Sequence, residues 1–295
     1  MVVDIILVPL WQGSGHLGAD LGPSKLMNNG LKELIESHGH IIGSISTCSV
    51  PNTYYSEKDL LLKYKTSVVS CCDELQEYVK ESLKHKHFPL IIGGDHALAI
   101  GSIAGINQII PTKDLSVIWI DAHTDINSSK GSTSHNIHGM PVGVCLGLEE
   151  SNAFLDFNYG DKMLEPSNLY YIGARSVDEP EKEIINKLGI KVYGMDDIHT
   201  KGIDNIVNEI FSNIKTPYIH ISFDVDFMDP SYFPYTGVPV SNGPTLEETK
   251  LCLETLMKSD KIISFDLVEY NPEEDKDNKG VEICKDLISI TLKHK

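Results

Sequence analysis

The chain contains almost no arginine: Arg175 is the only one among the 25 basic residues of a 295-residue sequence. Rigid bidentate clamps for phosphate groups are therefore scarce, and phosphoryl chemistry is disfavoured. Positive charge in general is sparse, because 42 acidic residues give a formal net charge of -17. Nucleic acid and anionic membranes are disfavoured as partners, since their phosphates would be repelled. A cationic ligand would be attracted.

Long apolar runs and paired-cysteine motifs are also absent. No segment has the roughly 18 consecutive apolar residues that a membrane span requires. The 6 cysteines show no Cys-x-x-Cys spacing, and no charged leader precedes the first apolar run. We therefore expect reduced cysteines in a cytoplasmic protein.

Apolar stretches of strand length alternate with stretches of helical periodicity along the whole chain. A hydrophobic content of 41% is enough for a sizeable core, and we expect one domain over residues 1–295. The alternation predicts a three-layer α/β/α fold, in which helices cover both faces of an eight-stranded parallel sheet. The predicted strands cover residues 5–10, 41–46, 89–92, 115–120, 169–173, 191–193, 218–221 and 261–265. The predicted helices cover residues 57–86, 97–108, 179–188, 203–214, 245–258 and 281–293.

The most informative segment of the chain follows the apolar run that ends at Ile120. It places Asp121, His123 and Asp125 at alternate positions, and an extended backbone would point all three side chains to one side. Two carboxylates and an imidazole that converge in a folded core require a cation between them. The segment therefore predicts half of a metal site.

Two further segments supply the other candidate ligands. Asp224 and Asp226 follow the apolar run 218–221, and His96 follows the run 90–92. Any one of these segments could instead be an ordinary turn after a strand, because Asp and Gly are common turn residues. In open α/β sheets the ligand site lies beyond the carboxyl ends of the strands, where all of these segments fall. We therefore predict one shared metal site.

Four motifs stand in an order and spacing typical of one known family. They are Gly-Gly-Asp-His at 93–96, Asp-Ala-His-Thr-Asp-Ile-Asn at 121–127, His-Gly-Met-Pro at 138–141 and Ser-Phe-Asp-Val-Asp at 222–226. Over essentially the whole chain, the sequence resembles the ureohydrolases, which include arginases and agmatinases. The resemblance implies an arginase/deacetylase-like sheet, two Mn²⁺ ions per subunit and a homotrimer. The implied metal ligands are His96, Asp121, His123, Asp125, Asp224 and Asp226.

The composition of this ligand set favours the same chemistry. Imidazole and carboxylate ligands without a thiolate favour hard ions such as manganese over zinc. Two divalent ions, four aspartates and a bridging hydroxide would leave a charge of about -1, which attracts a cation. Water that bridges two metal ions is a strong nucleophile near neutral pH. Hydrolysis of a positively charged guanidinium group fits such a site.

The resemblance also implies which residues are catalytic. Asp125 resembles the metal-bridging carboxylate that relays a proton, and His138 resembles the proton-shuttle histidine of the family. Glu269, which follows the eighth apolar run, resembles the acid that holds the guanidinium by paired hydrogen bonds. Taken alone, Glu269 would be a solvated loop charge and His138 a structural histidine.

The residues at the outer end of the predicted pocket decide which guanidino compound is hydrolysed. Ser134 and Asn136 lie in a segment similar to the arginase loop that binds the substrate α-carboxylate, and we group Asn127 with them. Asp178 and Glu181 lie in a segment similar to the one that receives the α-ammonium group. Alternatively, the first segment only shapes a turn, and the acidic pair starts the following helix.

These observations lead to the hypothesis that the chain hydrolyses L-arginine to L-ornithine and urea. An agmatinase, whose substrate lacks the carboxylate, is the alternative within the family. A single-zinc amidohydrolase of the deacetylase type and a protein that only binds a metal or a guanidino ligand are the alternatives outside it. The sequence departs from the arginase pattern at Ser176, Val238 and Glu247, so the finer pocket contacts and subunit contacts stay open.

Overall fold

A single sheet of eight strands lies at the centre of the protein, for which the computed structural model describes residues 1–51, 61–148, 154, 156–157, 159–160 and 162–293. The strands are β1 (Val2–Val8), β2 (Ile41–Thr47), β3 (Phe88–Gly93), β4 (Leu115–Ile120), β5 (Leu169–Ile172), β6 (Lys191–Tyr193), β7 (Tyr218–Asp224) and β8 (Ile262–Val268). Their order is β2-β1-β3-β8-β7-β4-β5-β6, and every pairing is parallel. The predicted parallel sheet is confirmed.

Helices cover both faces of this sheet. They are α1 (Gly22–Asn28), α2 (Leu31–Ser37), α3 (Lys65–Lys84), α4 (Ala99–Asn107), α5 (Pro141–Cys145), α6 (Glu179–Leu188), α7 (Met195–Lys201), α8 (Ile203–Asn213), α9 (Leu246–Leu256) and α10 (Lys279–Lys293). Successive residues of a strand point to opposite faces, so Val3 and Ile5 of β1 enter one core while Ile6 and Val8 enter the other. Helices α1, α2 and α7–α10 pack on the first core, and α3–α6 pack on the second. This is the predicted three-layer arrangement.

Two central strands extend further than the sequence predicts. Strand β7 continues to Asp224 and β8 to Val268, beyond the ends predicted at residues 221 and 265. The extra pairs include Ser222 with Asp266, which are buried although they are polar. Ser222 and Asp266 interrupt the two apolar runs, and a prediction from apolar runs therefore ends each strand before them although both strands continue.

Four short helices are absent from the prediction, and one helix begins later than predicted. The missed helices α1, α2, α5 and α7 have 7, 7, 5 and 7 residues, too few for a periodic pattern to stand out. Helix α3 begins at Lys65 rather than at residue 57, and residues 57–60 lie outside the described residues. No helix in the described part of the chain is long and apolar enough to cross a membrane.

The four central strands bring the predicted site residues to one edge of the sheet. Strands β3, β8, β7 and β4 are neighbours in that order. Their carboxyl ends lead into the segments that carry His96, Glu269, the Asp224–Asp226 pair and the Asp121–Asp125 motif, respectively. Residues far apart in sequence therefore meet because of the strand order.

Candidate metal centre

The same type of turn follows three of these central strands. The Asp121 Oδ1 atom accepts a hydrogen bond from the backbone N–H of His123 at 2.6 Å, and Asp224 Oδ1 accepts one from Asp226 at 2.7 Å. Asp95 Oδ1 likewise accepts one from the N–H two residues later, at 3.0 Å. In each case an aspartate bends the chain just beyond the strand. The candidate ligands therefore converge through turns and not, as predicted, through a continuous extended backbone.

All six predicted ligands lie together at this edge. Three carboxylate oxygens face His96 Nδ1: Asp121 Oδ2 at 3.0 Å, Asp125 Oδ2 at 3.2 Å and Asp224 Oδ2 at 3.2 Å. On the other side of Asp121, His123 Nδ1 lies 3.4 Å from Asp121 Oδ1 and 3.0 Å from Asp226 Oδ2. We call His96, Asp121 and Asp224 the His96 group, and Asp121, His123 and Asp226 the His123 group.

The imidazole of His96 is held so that Nδ1 faces the carboxylates. Its Nε2 atom lies 2.9 Å from Ser222 Oγ, and its ring stacks on Trp119 with centroids 4.0 Å apart. The Trp119 indole also donates to Asp121 Oδ2 at 2.9 Å. If Nε2 carries the proton and donates to Ser222, then Nδ1 is the free ligand atom.

The donor set fits a pair of divalent metal ions. Within each group, one ligand atom per residue lies within 4.8 Å of the others. His96 Nδ1 is buried and has no hydrogen-bond partner among the described residues, although carboxylates surround it. A buried nitrogen ligand faced by carboxylates is the arrangement that a cation would satisfy. Oxygen and imidazole donors suit Mn²⁺ and similar hard ions.

The pKa values of the aspartates reflect the close packing of their negative charges. Burial raises the pKa of Asp224 and of Asp226, and the charges of neighbouring aspartates raise it further. Burial, followed by the charge of Asp121, raises the pKa of Asp125 to about 7. Although burial opposes it, the close contacts with the imidazoles of His123 and His96 hold the pKa of Asp121 below its usual range. Bound cations would relieve this repulsion.

Two of the predicted catalytic residues adopt an unusual backbone conformation. Asp125 has φ of 48° and Glu269 has φ of 65°, in the left-handed region that residues other than glycine rarely occupy. The backbone N–H of Glu269 is held by Gly94 O at 2.8 Å. Such conformations persist only when the surrounding structure enforces them, and they cluster at functional sites.

Glu269 and His138 form a pair beside the aspartates. The Glu269 Oε1 atom accepts from the backbone N–H of His96 at 2.9 Å and lies 3.1 Å from His138 Nδ1. This contact, opposed by burial, raises the pKa of His138 to about 9, and it keeps the pKa of Glu269 below its usual value. The structure therefore joins the predicted proton shuttle to the predicted guanidinium-binding acid.

A cavity of about 280 Å³ opens above the two groups. The predicted substrate residues Asn127, Ser134, Asn136, Asp178 and Glu181 all line it. The side-chain oxygens of Asn127 and Asn136 are buried without a hydrogen-bond partner in the described part of the chain. Asn136 Nδ2 donates to Ser14 O at 2.6 Å, which leaves its second N–H available. The wall therefore offers both acceptors and donors.

Glu181 also has a structural function. Its Oε2 accepts from the backbone N–H of Asp178 at 2.8 Å, as the third residue of α6 does in a capping box. Its Oε1 accepts from Thr124 Oγ1 at 2.8 Å and from the Ile126 N–H at 3.3 Å. The alternative that the acidic pair starts a helix is thus supported by geometry, and the substrate contact of Glu181 stays a prediction.

Several residues of the site lie outside the sequence prediction. His16, Ser132, Thr133 and Gly139 line the cavity in addition to the two family departures Ser176 and Val238. Ser222 and Trp119 support His96, as described above. The alternation of side chains could have pointed to both, since Ser222 stands two residues before Asp224 in β7 and Trp119 stands two residues before Asp121, which directly follows β4. No comparable signal points to His16.

Comparison with known proteins agrees with this geometry. The chain matches the arginase family over residues 2–292. It is 34% identical to the arginase of Bacillus subtilis (strain 168) over 291 residues, which cover 98% of this chain and 97% of that protein. The arginase of Bacillus caldovelox superposes with a TM-score of 0.93 at 33% identity, covering 99% and 98% of the two chains. Entamoeba histolytica arginase, solved in complex with L-ornithine, gives a TM-score of 0.89 at 29% identity, covering 99% and 97%.

The fold and the site together define a three-layer α/β protein with a carboxylate-rich candidate metal centre. The whole-chain match places it more narrowly: the chain belongs to the arginase family.

Proposed function

We propose that this protein hydrolyses L-arginine to L-ornithine and urea with two Mn²⁺ ions bound per subunit. The observation that carries the proposal is the convergence of six ligand side chains at the base of a cavity whose outer wall offers neutral hydrogen-bonding groups. The similarity to several arginases, one of them solved with L-ornithine, supports it.

The metal ions would be held by the His96 group and the His123 group, which share Asp121, with Asp125 beside His96 Nδ1. Bound there, two divalent ions would supply a nucleophilic water near neutral pH and would offset the charge of the four aspartates. The excess of carboxylates attracts a cationic guanidinium and disfavours an anionic substrate.

Glu269 would bind the guanidinium. Both described hydrogen bonds to its carboxylate involve Oε1, so Oε2 is the atom best able to accept from a guanidinium N–H. Its left-handed backbone conformation fixes the direction of the side chain. A charge-assisted hydrogen bond of this kind would orient the carbon toward the attacking water.

His138 and Asp125 would move the protons. The pair with Glu269 favours the charged form of His138, so its ring can give a proton to the departing amine. Asp125, whose Oδ2 lies 3.2 Å from His96 Nδ1 at the base of the cavity, would accept the proton that the attacking water loses. The two residues would therefore act on opposite sides of the same reaction.

The outer wall would select an amino acid head group. Exposed Ser134 and the remaining N–H of Asn136 can donate to an α-carboxylate, whereas exposed Asp178 can accept from an α-ammonium group. Agmatine lacks the carboxylate, so it would leave the donors of this wall without a partner.

Urea release by Mn²⁺-loaded protein tests the proposal directly. Arginine, agmatine and guanidinobutyrate are compared at equal concentration, and metal content is measured on the same sample. We expect turnover of arginine with two manganese ions per chain. Turnover of agmatine but not arginine would reject the assignment, and tight binding of metal and arginine without urea would indicate a binding protein. A single zinc ion would favour the deacetylase-type alternative.

Three further features belong to the same proposal: one domain over residues 1–295, a homotrimer and a cytoplasmic location. Light scattering on the purified protein distinguishes a trimer from a monomer or hexamer. A single cooperative unfolding transition in the metal-free protein is expected for one domain.

A further inference from the structure

The only arginine of the chain lies next to one half of the candidate metal centre. Arg175 follows β5, and its partly buried guanidinium donates to the carbonyl oxygens of three separate segments. Nε donates to Ser241 at 3.1 Å, Nη1 to Gly173 at 3.2 Å and Phe227 at 3.0 Å, and Nη2 to Asp226 at 3.0 Å, Met228 at 3.4 Å and Val240 at 2.8 Å. The guanidinium spreads five N–H donors over a rigid planar fork and can reach the carbonyls of separate segments, whereas the ammonium of lysine has three donors on one atom.

The main chain of Arg175 completes this connection. Its backbone N–H donates to Ala122 O at 2.9 Å, and the backbone N–H of Ala122 donates to Asp226 Oδ1 at 3.1 Å. Ala122 stands between Asp121 and His123 in the sequence. Arg175 is therefore linked to the segments that carry all three members of the His123 group.

The His96 group has different supports. His96 is held by Trp119 and Ser222, and none of the described hydrogen bonds joins Arg175 to either of them. Asp224 belongs to strand β7 and is fixed by the ladder of the sheet. The two groups share Asp121 and are joined by the hydrogen bond from the Asp226 N–H to Asp224 Oδ1, but the contacts of the Arg175 guanidinium lie on the Asp226 side alone.

We propose that Arg175 is a positioning residue for the His123 group: it fixes the carbonyls of the Asp226–Met228 segment and so maintains metal affinity in that group, but not in the His96 group. The inference rests on the proposed function only in requiring that both groups bind metal. Arg175 acts through the backbone of Asp226, without contact to a substrate. Because Arg175→Lys keeps the charge and loses the fork, it separates carbonyl positioning from simple charge.

Binding of Mn²⁺ to metal-stripped protein, followed by titration calorimetry, tests this selectivity. The variant His96→Ala leaves the His123 group as the intact one, and His123→Ala leaves the His96 group. In the His96→Ala background we expect Arg175→Lys to weaken Mn²⁺ binding roughly 10–100-fold, as is common for residues that orient metal ligands. In the His123→Ala background the same substitution should change affinity by less than about twofold, because none of the carbonyls that the guanidinium holds belongs to a member of the His96 group.

Two further variants separate positioning from general loss of stability. A Cβ at Gly243 would lie 2.5 Å from Arg175 Nη2, 2.6 Å from Asp229 N and 2.8 Å from the Met228 carbonyl carbon, so Gly243→Ala displaces both the guanidinium and the backbone that it holds. It should reproduce the selective loss, and it replaces Arg175→Lys if that variant does not fold. Lys261 also donates to a backbone carbonyl, Thr216 O at 3.0 Å, but before β8 at the opposite edge of the sheet. Lys261→Ala should leave both affinities unchanged.

Equal weakening in both backgrounds, or no weakening in the His96→Ala background, would overturn the proposal. Selective weakening supports it, provided that the metal-free variants unfold cooperatively like their parents. The proposed function fails in a different way: unsubstituted protein with two bound ions would release no urea from arginine, while the selective effect of Arg175 on metal binding would persist.

Discussion

The floor and the rim of the cavity are built in different ways. The floor consists of candidate ligands at strand ends, most of them buried, and Asp121 and Asp224 each shape the turn that follows them. The rim contains exposed side chains on loops, such as Ser134 and Asp178. The floor concentrates charge that must stay desolvated and fixed, while the rim needs only hydrogen-bonding groups at the right distance. The rate of hydrolysis should therefore depend on the residues of the floor, and the choice of substrate should depend on the residues of the rim.

The largest effect should come from removing a floor ligand. We expect Asp125→Asn and His123→Ala each to lower the rate of urea release about a thousandfold or more, since several kcal/mol of charge stabilisation are lost. The turnover number at saturating arginine and Mn²⁺ measures this. Circular dichroism should remain that of the folded protein. Near-normal turnover in both variants would contradict the proposed site.

The second prediction concerns Ser222, which contacts the candidate metal ligand His96. Ser222→Ala removes the hydroxyl 2.9 Å from His96 Nε2, so the imidazole loses the partner that sets its tautomer. Mn²⁺ affinity should fall by about 10–100-fold, as measured by equilibrium dialysis. Ser222→Thr keeps a hydroxyl and serves as the control. Equal affinities in all three proteins would show that Ser222 does not orient His96.

Rim variants should alter specificity with little effect on the turnover number. Ser134→Ala and Asn136→Ala remove donors for the α-carboxylate, and we expect KM for arginine to rise about tenfold. KM for agmatine, which has no carboxylate, should stay constant in the same variants. Steady-state assays with both substrates measure the difference. A parallel rise for both substrates would show that the rim does not recognise the head group.

The smallest effect concerns the pair between His138 and Glu269. Because folding raises the pKa of His138 to about 9 from an ordinary value of about 6.5, its charged form stabilises the fold. This stabilisation is complete below pH of about 6.5 and is lost as the pH rises through about 9. Chemical unfolding of the metal-free protein should show this decline, and His138→Asn should flatten it. If the stability of His138→Asn declined with pH as it does in the unsubstituted protein, the pair between His138 and Glu269 would not be the cause of the decline.

The sheet and all six floor residues could be predicted because their signals are local. A strand-length apolar run followed by Asp or His indicates both that a strand is present and that the site lies at the carboxyl end of that strand. The predicted continuous extended backbone is nevertheless wrong, since the chain turns directly after Asp121 and Asp224, whose side chains accept from the backbone two residues later. Side-chain hydrogen bonds to the backbone two residues later leave no trace in apolar periodicity.

The supporting residues were harder to predict because their partners are distant in sequence. Ser222 meets His96 only because β7 and the segment after β3 reach the same edge. Arg175 was notable in the sequence as a rarity, yet its six carbonyl partners come from segments up to 66 residues away. Glu181 differs from these residues, because the sequence suggested both of the positions that it has in the structure: the first turn of a helix and the wall of the cavity.

The sequence by itself determined the alternation of strands and helices, the charge of the site and the identity of its candidate ligands, because each depends on residue type and short-range spacing. Only the tertiary structure decided which segments meet, how Arg175 ties one ligand group to its neighbours, and how His138 is joined to Glu269. Strand order and buried hydrogen bonds fix those relations, and both arise from long-range packing that no local pattern encodes.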